Sequence, residues 1–331
     1  MAQYISRRLL NMVITLAFIS VISFAIIQLP PGDYLTSYIA QLRAAGEEVN
    51  EELIESLRMQ YGLGKTPVQQ YFRWVWNFVQ GNMGQSFIYD RPVNDLIWER
   101  LGLTFVIATA SLVFTWLLAL PIGIYSAVRQ YSFGDYLFTF LSFIGLAVPN
   151  FMLALALMFA GFKWLGLDVG GLFSVEYESA PWSIAKFVDL LEHLWVPTVV
   201  LGTAGTAALV RIMRANLLDE LRKLYVITAR AKGVAERRLI IKYPVRIALN
   251  PFISSVGWIL PTLISGATIT AIVLNLPTTG PMLVDALLQQ DMFLAGSFIM
   301  MLSTLTVIGM LISDVMLVLA DPRIRIGMAN E

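Results

Sequence analysis

Apolar runs long or nearly long enough to cross a bilayer recur six times along the chain, separated by polar stretches of uneven length. A helix needs about 20 residues to cross roughly 30 Å of hydrocarbon. The runs lie roughly at Leu9 to Leu29, Leu103 to Val128, Leu137 to Leu165, Leu194 to Met213, Phe252 to Leu276, and Leu294 to Ala320. They predict an all-α membrane protein of six transmembrane helices. The fourth run, VPTVVLGTAGTAALV, is small and polar-tinged, and is expected to pack against protein. Gly202 with Thr206, and Ala204 with Ala208, place small residues four apart, a spacing that lets helices approach closely.

The first run opens with SRRLL at 6 to 10, which has the look of a secretory or twin-arginine leader. It ends in QLPPGD without a small-residue cleavage site, and five more runs follow, so it reads as a retained first helix.

Composition fits. The chain is 57 % hydrophobic and 14 % charged, against about a quarter charged in soluble domains. Net charge is zero, which gives no basic balance for nucleic acid. There are no cysteines, hence no disulfide and no thiolate metal site. One histidine, His193, is too few for a histidine-rich metal centre and makes a Ser-His-Asp triad implausible.

Loop charge sets the expected orientation. Residues 30 to 100 carry nine acids against six bases, and residues 163 to 194 carry five acids against two lysines. Residues 211 to 246 reverse this, with ten bases against Asp219, Glu220 and Glu236. With Arg7 and Arg8 at the start, the pattern puts both termini and the 211 to 250 loop in the cytoplasm. The expected division is a tail and first helix over 1–29, a small external subdomain over 30–100, and a five-helix core over 101–331 with a cytoplasmic loop at 214–250.

Within the external stretch, NEELIESLR from Asn50 starts like a capped helix with acids suited to the dipole. TPVQQYFRWVWNFV has Thr66 as an expected N-cap and Pro67 at the first helical position. Tyr71, Trp74, Val75 and Phe78 then share one face. That face suits an interfacial belt, a local core or a docking surface for an external partner. GLGKT at 62 to 66 imitates the end of a phosphate-binding loop, but Met59 stands where its first glycine belongs and Pro67 follows at once. It reads as a turn.

The basic loop runs RIMRANLLDELRKLYVITARAKGVAERRLIIKYPVRIALNP from Arg211. Leu217, Leu218, Leu221 and Leu224 form a helical stripe that Ile227 extends, with Leu217, Leu221 and Leu224 expected to pack inward. Gly233 permits the left-handed turn that ends a helix. A second helix is expected from Ala235 towards Tyr243, making two short helices with a sharp corner, small at the tip and basic outside.

This stretch resembles the cytoplasmic loop of ABC-type importer permeases of the dipeptide/oligopeptide branch, typically YVxTARAKG. The chain has Tyr225, Val226, Thr228, Ala229, Arg230, Ala231, Lys232 and Gly233 at those places. PGD at 31 to 33, GNMGQSF at 81 to 87, RPVNDLIWERLGLTF from Arg91, HLWVPTVVLG from His193, RIMR at 211 to 214, SGATIT at 265 to 270 and DPRIR at 321 to 325 match further anchors in order. The chain departs from the branch at Ala271, at Thr278 and Thr279, at Tyr243, in PPGDYL and in the acidic run around Glu47 to Glu55.

The resemblance implies a multi-pass permease of a prokaryotic inner or plasma membrane, forming half of a translocation pathway for peptides or similar solutes. Its implied partners are a second related permease, two ATPase subunits at the cytoplasmic loop and an extracytoplasmic solute-binding protein. No cofactor is expected on this chain; ATP and Mg belong to the ATPases, so the chain is not itself an enzyme. Tyr225, Thr228, Ala229, Arg230, Ala231, Lys232 and Gly233 are the implied ATPase-coupling residues, with Arg230 and Lys232 available to acidic groups of the ATPase.

Ser265, Thr268 and Thr270 on the fifth run are candidates for lining a polar path or for bonding their own backbone. Asp314, inside the last run, suits structural pairing or a proton relay. Pro121, Pro149 and Pro261 are expected to kink helices. Two alternatives stand beside the importer: the same machinery carrying oligosaccharides, and an ion-coupled secondary transporter. The latter class buries acids mid-membrane and shows internal repeats, whereas only Asp314 qualifies here.

Overall fold

The computed structural model describes residues 2–28, 66–166, 170–254 and 268–320. In chain order its helices are α1 (Ala2–Gln28), α2 (Pro67–Val79), α3 (Val93–Val128), α4 (Phe133–Ala147), α5 (Asn150–Ala160) with a π turn at Gly161–Leu165, and α6 (Val175–Glu178). There follow α7 (Ile184–Leu221), α8 (Leu224–Ala231), α9 (Glu236–Lys242), α10 (Pro244–Ala248), α11 (Thr268–Val273), α12 (Thr279–Leu288) and α13 (Met292–Ala320). No strand occurs among the described residues; the lone bridge joins Gln85 to Pro92.

Four of these helices are long and apolar enough to cross a membrane, at Arg8–Ala25, Val93–Val128, Ile184–Leu221 and Met292–Met316. The third expected span is not one straight helix. It breaks into α4 and α5, bent by 101°. Pro149 lacks the N–H that would continue the helix, and it drives the preceding Val148 to an extended ψ of 119°. Pro121, by contrast, is accommodated inside α3 without ending it. Most of the fifth expected span, with Ser265 and Pro261, lies outside the described residues, as do NEELIESLR, residues 62–65 of GLGKT and the DPRIR segment.

Contacts divide the chain into two units. The first, residues 1–103 and 278–305, holds the aromatic helix α2. Pro67 is its first residue as expected, but Thr66 caps by position alone, with no side-chain bond. The face predicted from Tyr71, Trp74, Val75 and Phe78 packs locally: Phe24 of α1 meets Tyr71 edge-on, and Trp74 is 4 % exposed. A second centre in this unit is Asp291, which no solvent reaches. Its Oδ2 accepts from the Ser86 hydroxyl (2.6 Å) and the Phe87 and Ile88 amides (2.8 and 3.2 Å), while Oδ1 accepts from Leu294 N–H (3.0 Å). One carboxylate thus caps α13 and pins the 86–88 turn. Burial pushes its carboxyl up from the usual range, against the downward pull of these donors.

The second unit, residues 104–277 and 306–331, is built round α7. Half of the most apolar stretch of α7 is buried inside the chain, against 17 % for α1, which is the protein-facing role its small residues predict. A Cβ on Gly202 would sit 2.5 Å from the ring of Phe114, so α3 approaches α7 more closely there than any side chain permits.

Candidate functional site

The basic loop folds onto the end of α7 as three short helices. α7 stops at Arg222, and Lys223, extended at ψ 148°, begins α8 afresh. That restart changes the helical phase. Leu217 is fully buried and Leu221 packs against the same core, as the stripe predicts. Leu224 does not: it is 81 % exposed, and Ile227 is 51 % exposed. In their place Val226 turns inward to 0 % exposure, flanked by Tyr225 and Ala229. A leucine stripe read through Arg222 and Lys223 assumes one continuous helix, and the helix ends there.

The corner itself is a Schellman turn. Gly233 N–H bonds Arg230 O at 3.0 Å, and Val234 N–H reaches back to Ala229 O at 3.3 Å. Gly233 holds φ +76°, a conformation that costs other L-residues roughly 1–2 kcal/mol. A Cβ there would meet nothing within 4 Å, so backbone conformation and not crowding within the chain selects the glycine.

α9 runs back from the corner, and its Leu239 and Ile240 enter the core with Val226, Val245 and Ala248. These five close against Leu209, Val210, Met213 and Leu217 of α7 and against Ala119 and Ala127 of α3. The corner is therefore seated on two long helices through a continuous apolar core, the condition for transmitting a displacement.

Charges at the corner are partly internal. The Arg230 guanidinium binds Glu236 through two bonds, of 3.1 and 2.6 Å, spanning the turn between α8 and α9. Arg230 lowers the Glu236 carboxyl below its usual range by this hydrogen bonding. Arg230 thus already has a carboxylate, whereas the sequence suggested one on another protein. The outer face of α8 is mostly small or apolar: Leu224, Ile227, Thr228 and Ala231 follow at i, i+3, i+4 and i+7, all exposed, with Lys232 and Gly233 at the tip. The Thr228 hydroxyl bonds Leu224 O at 2.9 Å within the helix.

One fastening was not foreseen. Arg214, about two turns before the end of α7, grips Asp135 of α4 with Nε and Nη2 at 2.8 and 2.9 Å. Asp135 also accepts from Tyr131 N–H at 2.9 Å, and Ser132 caps α4 by accepting from Asp135 N–H. The Ser132-x-x-Asp135 spacing is a capping signal visible in the sequence. Its pairing with Arg214, 79 residues on, is not.

The remaining candidates lie elsewhere. Thr270 is 2 % exposed and Thr268 is half-buried on α11, while Asp314 is half-buried on α13. The neighbouring Ser313 hydroxyl bonds the carbonyl of Ile253 at 3.1 Å.

Comparison with known proteins accords with this geometry. Residues 119–326 match the family model described as binding-protein-dependent transport system inner membrane component, and residues 1–108 match the N-terminal model of the same membrane components. The oligopeptide transport system permease protein AppB of Bacillus subtilis is 36 % identical over 98 % of this chain and 100 % of its own length. The glutathione transport system permease protein GsiC of Pectobacterium atrosepticum is 31 % identical over 98 % of this chain and 99 % of its own. The dipeptide transport system permease protein DppB of Escherichia coli is 28 % identical over the same shares. The matched model runs from the last third of α3 through the corner at Gly233 and past α13, and with this cover the chain belongs to the family of binding-protein-dependent transport system inner membrane components.

Proposed function

We propose that this chain is one of two permease subunits of an ATP-driven importer of peptides or peptide-like solutes, and that α8 with its corner is the seat of a separate ATPase subunit. The observation that carries the second part is the exposed face Leu224, Ile227, Ala231 on a helix whose other side is locked by Val226. A surface of small and apolar residues so rigidly backed suits insertion into a protein cleft, whereas an anchor to lipid headgroups would need only its charge. The corner carries Lys232, Arg237 and Arg238 exposed around it, complementary to an acidic rim. Exposed pairs of that kind contribute only about 0–1 kcal/mol each, so the apolar face dominates. The peptide class is supported by the relatives named for oligopeptide, dipeptide and glutathione transport. Both termini and the corner would lie in the cytoplasm, facing the ATPases, with a solute-binding protein opposite.

Co-purification tests the reading. The ATPase subunits should accompany the wild-type chain and be lost from Ile227→Asp. Retention of the ATPases by that variant would refute the docking face. Peptide import is tested apart from it, by uptake of labelled di- to pentapeptides into cells lacking the chain and complemented with it.

A further inference from the structure

Residues 211 to 246 carry only three acids, Asp219, Glu220 and Glu236, among ten bases. Orientation in a membrane follows the bases and gains little from acids, so the acids need another reason. Two of them stand at the joints on either side of α8. At the first joint α7 ends at Arg222 and Lys223 begins the helix afresh, and there the Tyr225 hydroxyl donates to Glu220 Oε2 at 2.6 Å. At the second, across the Gly233 turn, Arg230 Nε and Nη2 donate to the two Glu236 oxygens at 3.1 and 2.6 Å. Arg230 lies in the last turn of α8 and Glu236 in the first turn of α9, the helix ends at which each charge is favoured by the dipole.

α8 needs support of this kind. Its eight residues are too few to hold a helix by backbone bonds alone, and Val226 is its one fully buried side chain. A short rod fixed at a single point can rock about it. A push on its outer side is then spent in tilting the rod, and little of it reaches the helices beyond. A bond across each joint removes that freedom, because α7 is anchored by Leu217 and α9 by Leu239 and Ile240 in one core.

We infer that Glu220 and Glu236 are positioning residues, which latch α8 at both ends through Tyr225 and Arg230 so that a push on its exposed face passes into α7 and α9. The inference rests on the reading of α8 as the seat of an ATPase subunit. It divides the residues singled out by the resemblance. Tyr225 and Arg230 fasten the helix from within the chain, while Thr228, Ala231 and Lys232 stay exposed for contact.

Hydrogen exchange and coupling test the two halves of this separately. In the purified full chain, held in nanodiscs, Glu220→Gln and Glu236→Gln should each speed amide exchange over residues 224–233 severalfold and leave residues 209–217 of α7 unchanged. In the assembled transporter both variants should keep the ATPase subunits through purification yet import less labelled di- to pentapeptide per ATP hydrolysed. Tyr225→Phe should reproduce Glu220→Gln, and the swapped pair Arg230→Glu with Glu236→Arg should recover part of both losses seen in Glu236→Gln. Unaltered exchange in either glutamine variant, or a swap that recovers nothing, overturns the latch. Faster exchange with normal import per ATP overturns its part in coupling. Loss of the ATPase subunits from Arg230→Gln but not from Glu236→Gln overturns it too, since Arg230 then contacts the partner directly. If the unmodified transporter brings down no ATPase or imports no peptide, the proposed function fails instead, and exchange alone decides the latch.

Discussion

Arg214 closes on Asp135 with two parallel bonds, although Asp135 is only 2 % exposed and the two residues stand 79 apart in sequence. The pair joins the first turn of α4 to the C-terminal segment of α7 that leads into the corner. A planar guanidinium fits a carboxylate through both oxygens, and lysine cannot reproduce that fork.

Removing one partner of such a pair leaves the other charge without its counter-ion, a loss of about 3–5 kcal/mol. Asp135→Asn and Arg214→Met should each lower the thermal midpoint of the purified chain, and Arg214→Lys should recover only part of the loss. The double variant should lose clearly less than the sum of the singles. Strict additivity in that cycle would show that the pair contributes nothing as a pair.

At the corner, Gly233→Val should reduce uptake per ATP hydrolysed while leaving the fold of the core intact, because no neighbour within the chain meets the new side chain. Asparagine tolerates the left-handed region better than other residues, so Gly233→Asn should retain more coupling. Normal uptake by the valine variant would remove the corner from the coupling path.

The two faces of α8 should separate in mutagenesis. Leu224→Asp changes an exposed residue and should leave expression and thermal stability unchanged while weakening ATPase association. Val226→Asp puts an unpaired carboxylate into the core of the second unit and should abolish accumulation of folded chain. Equal effects of the two on folding would contradict the observed phase of α8.

Acid should act oppositely on two carboxyls. For Asp291 the folded value is raised by burial, so its ionised form weakens the first unit at neutral pH, and the native state gains as pH falls from the folded value towards the unfolded one. Glu236 is lowered by Arg230, so its pair is intact above the unfolded value and is lost as pH falls through the folded one. Asp291→Asn keeps an acceptor for Ser86, Phe87 and Ile88 but cannot titrate. The wild-type thermal midpoint should rise relative to that variant as pH is lowered from 8, and a pH-independent difference would contradict the raised value.

Much of the site was legible in the sequence. Gly233 announces the turn, the basic excess marks the loop, and Leu217 and Leu221 fall on the buried face, because helical period and glycine's freedom are local properties. What local pattern cannot show is where a period is interrupted. Leu224 and Ile227 continue the leucine spacing on paper, yet the chain restarts its helix at Lys223 and turns them outward. The run from Leu137 to Leu165 is uniformly apolar, so Pro149 could signal a kink but not a bend of 101°.

The sequence by itself therefore determined that this is a helical membrane protein with a small-tipped, basic corner, since hydrophobic length, charge asymmetry and motif order are written residue by residue. Only the tertiary structure decided which residues fasten that corner and which remain free. Asp135 with Arg214, Asp291 with the turn at Ser86 to Ile88, and Tyr71 with Ser20 are partners separated by 79, 203 to 205 and 51 residues. A buried polar group must find its hydrogen bonds wherever packing brings a donor or acceptor, and that place is set by how the helices close on one another.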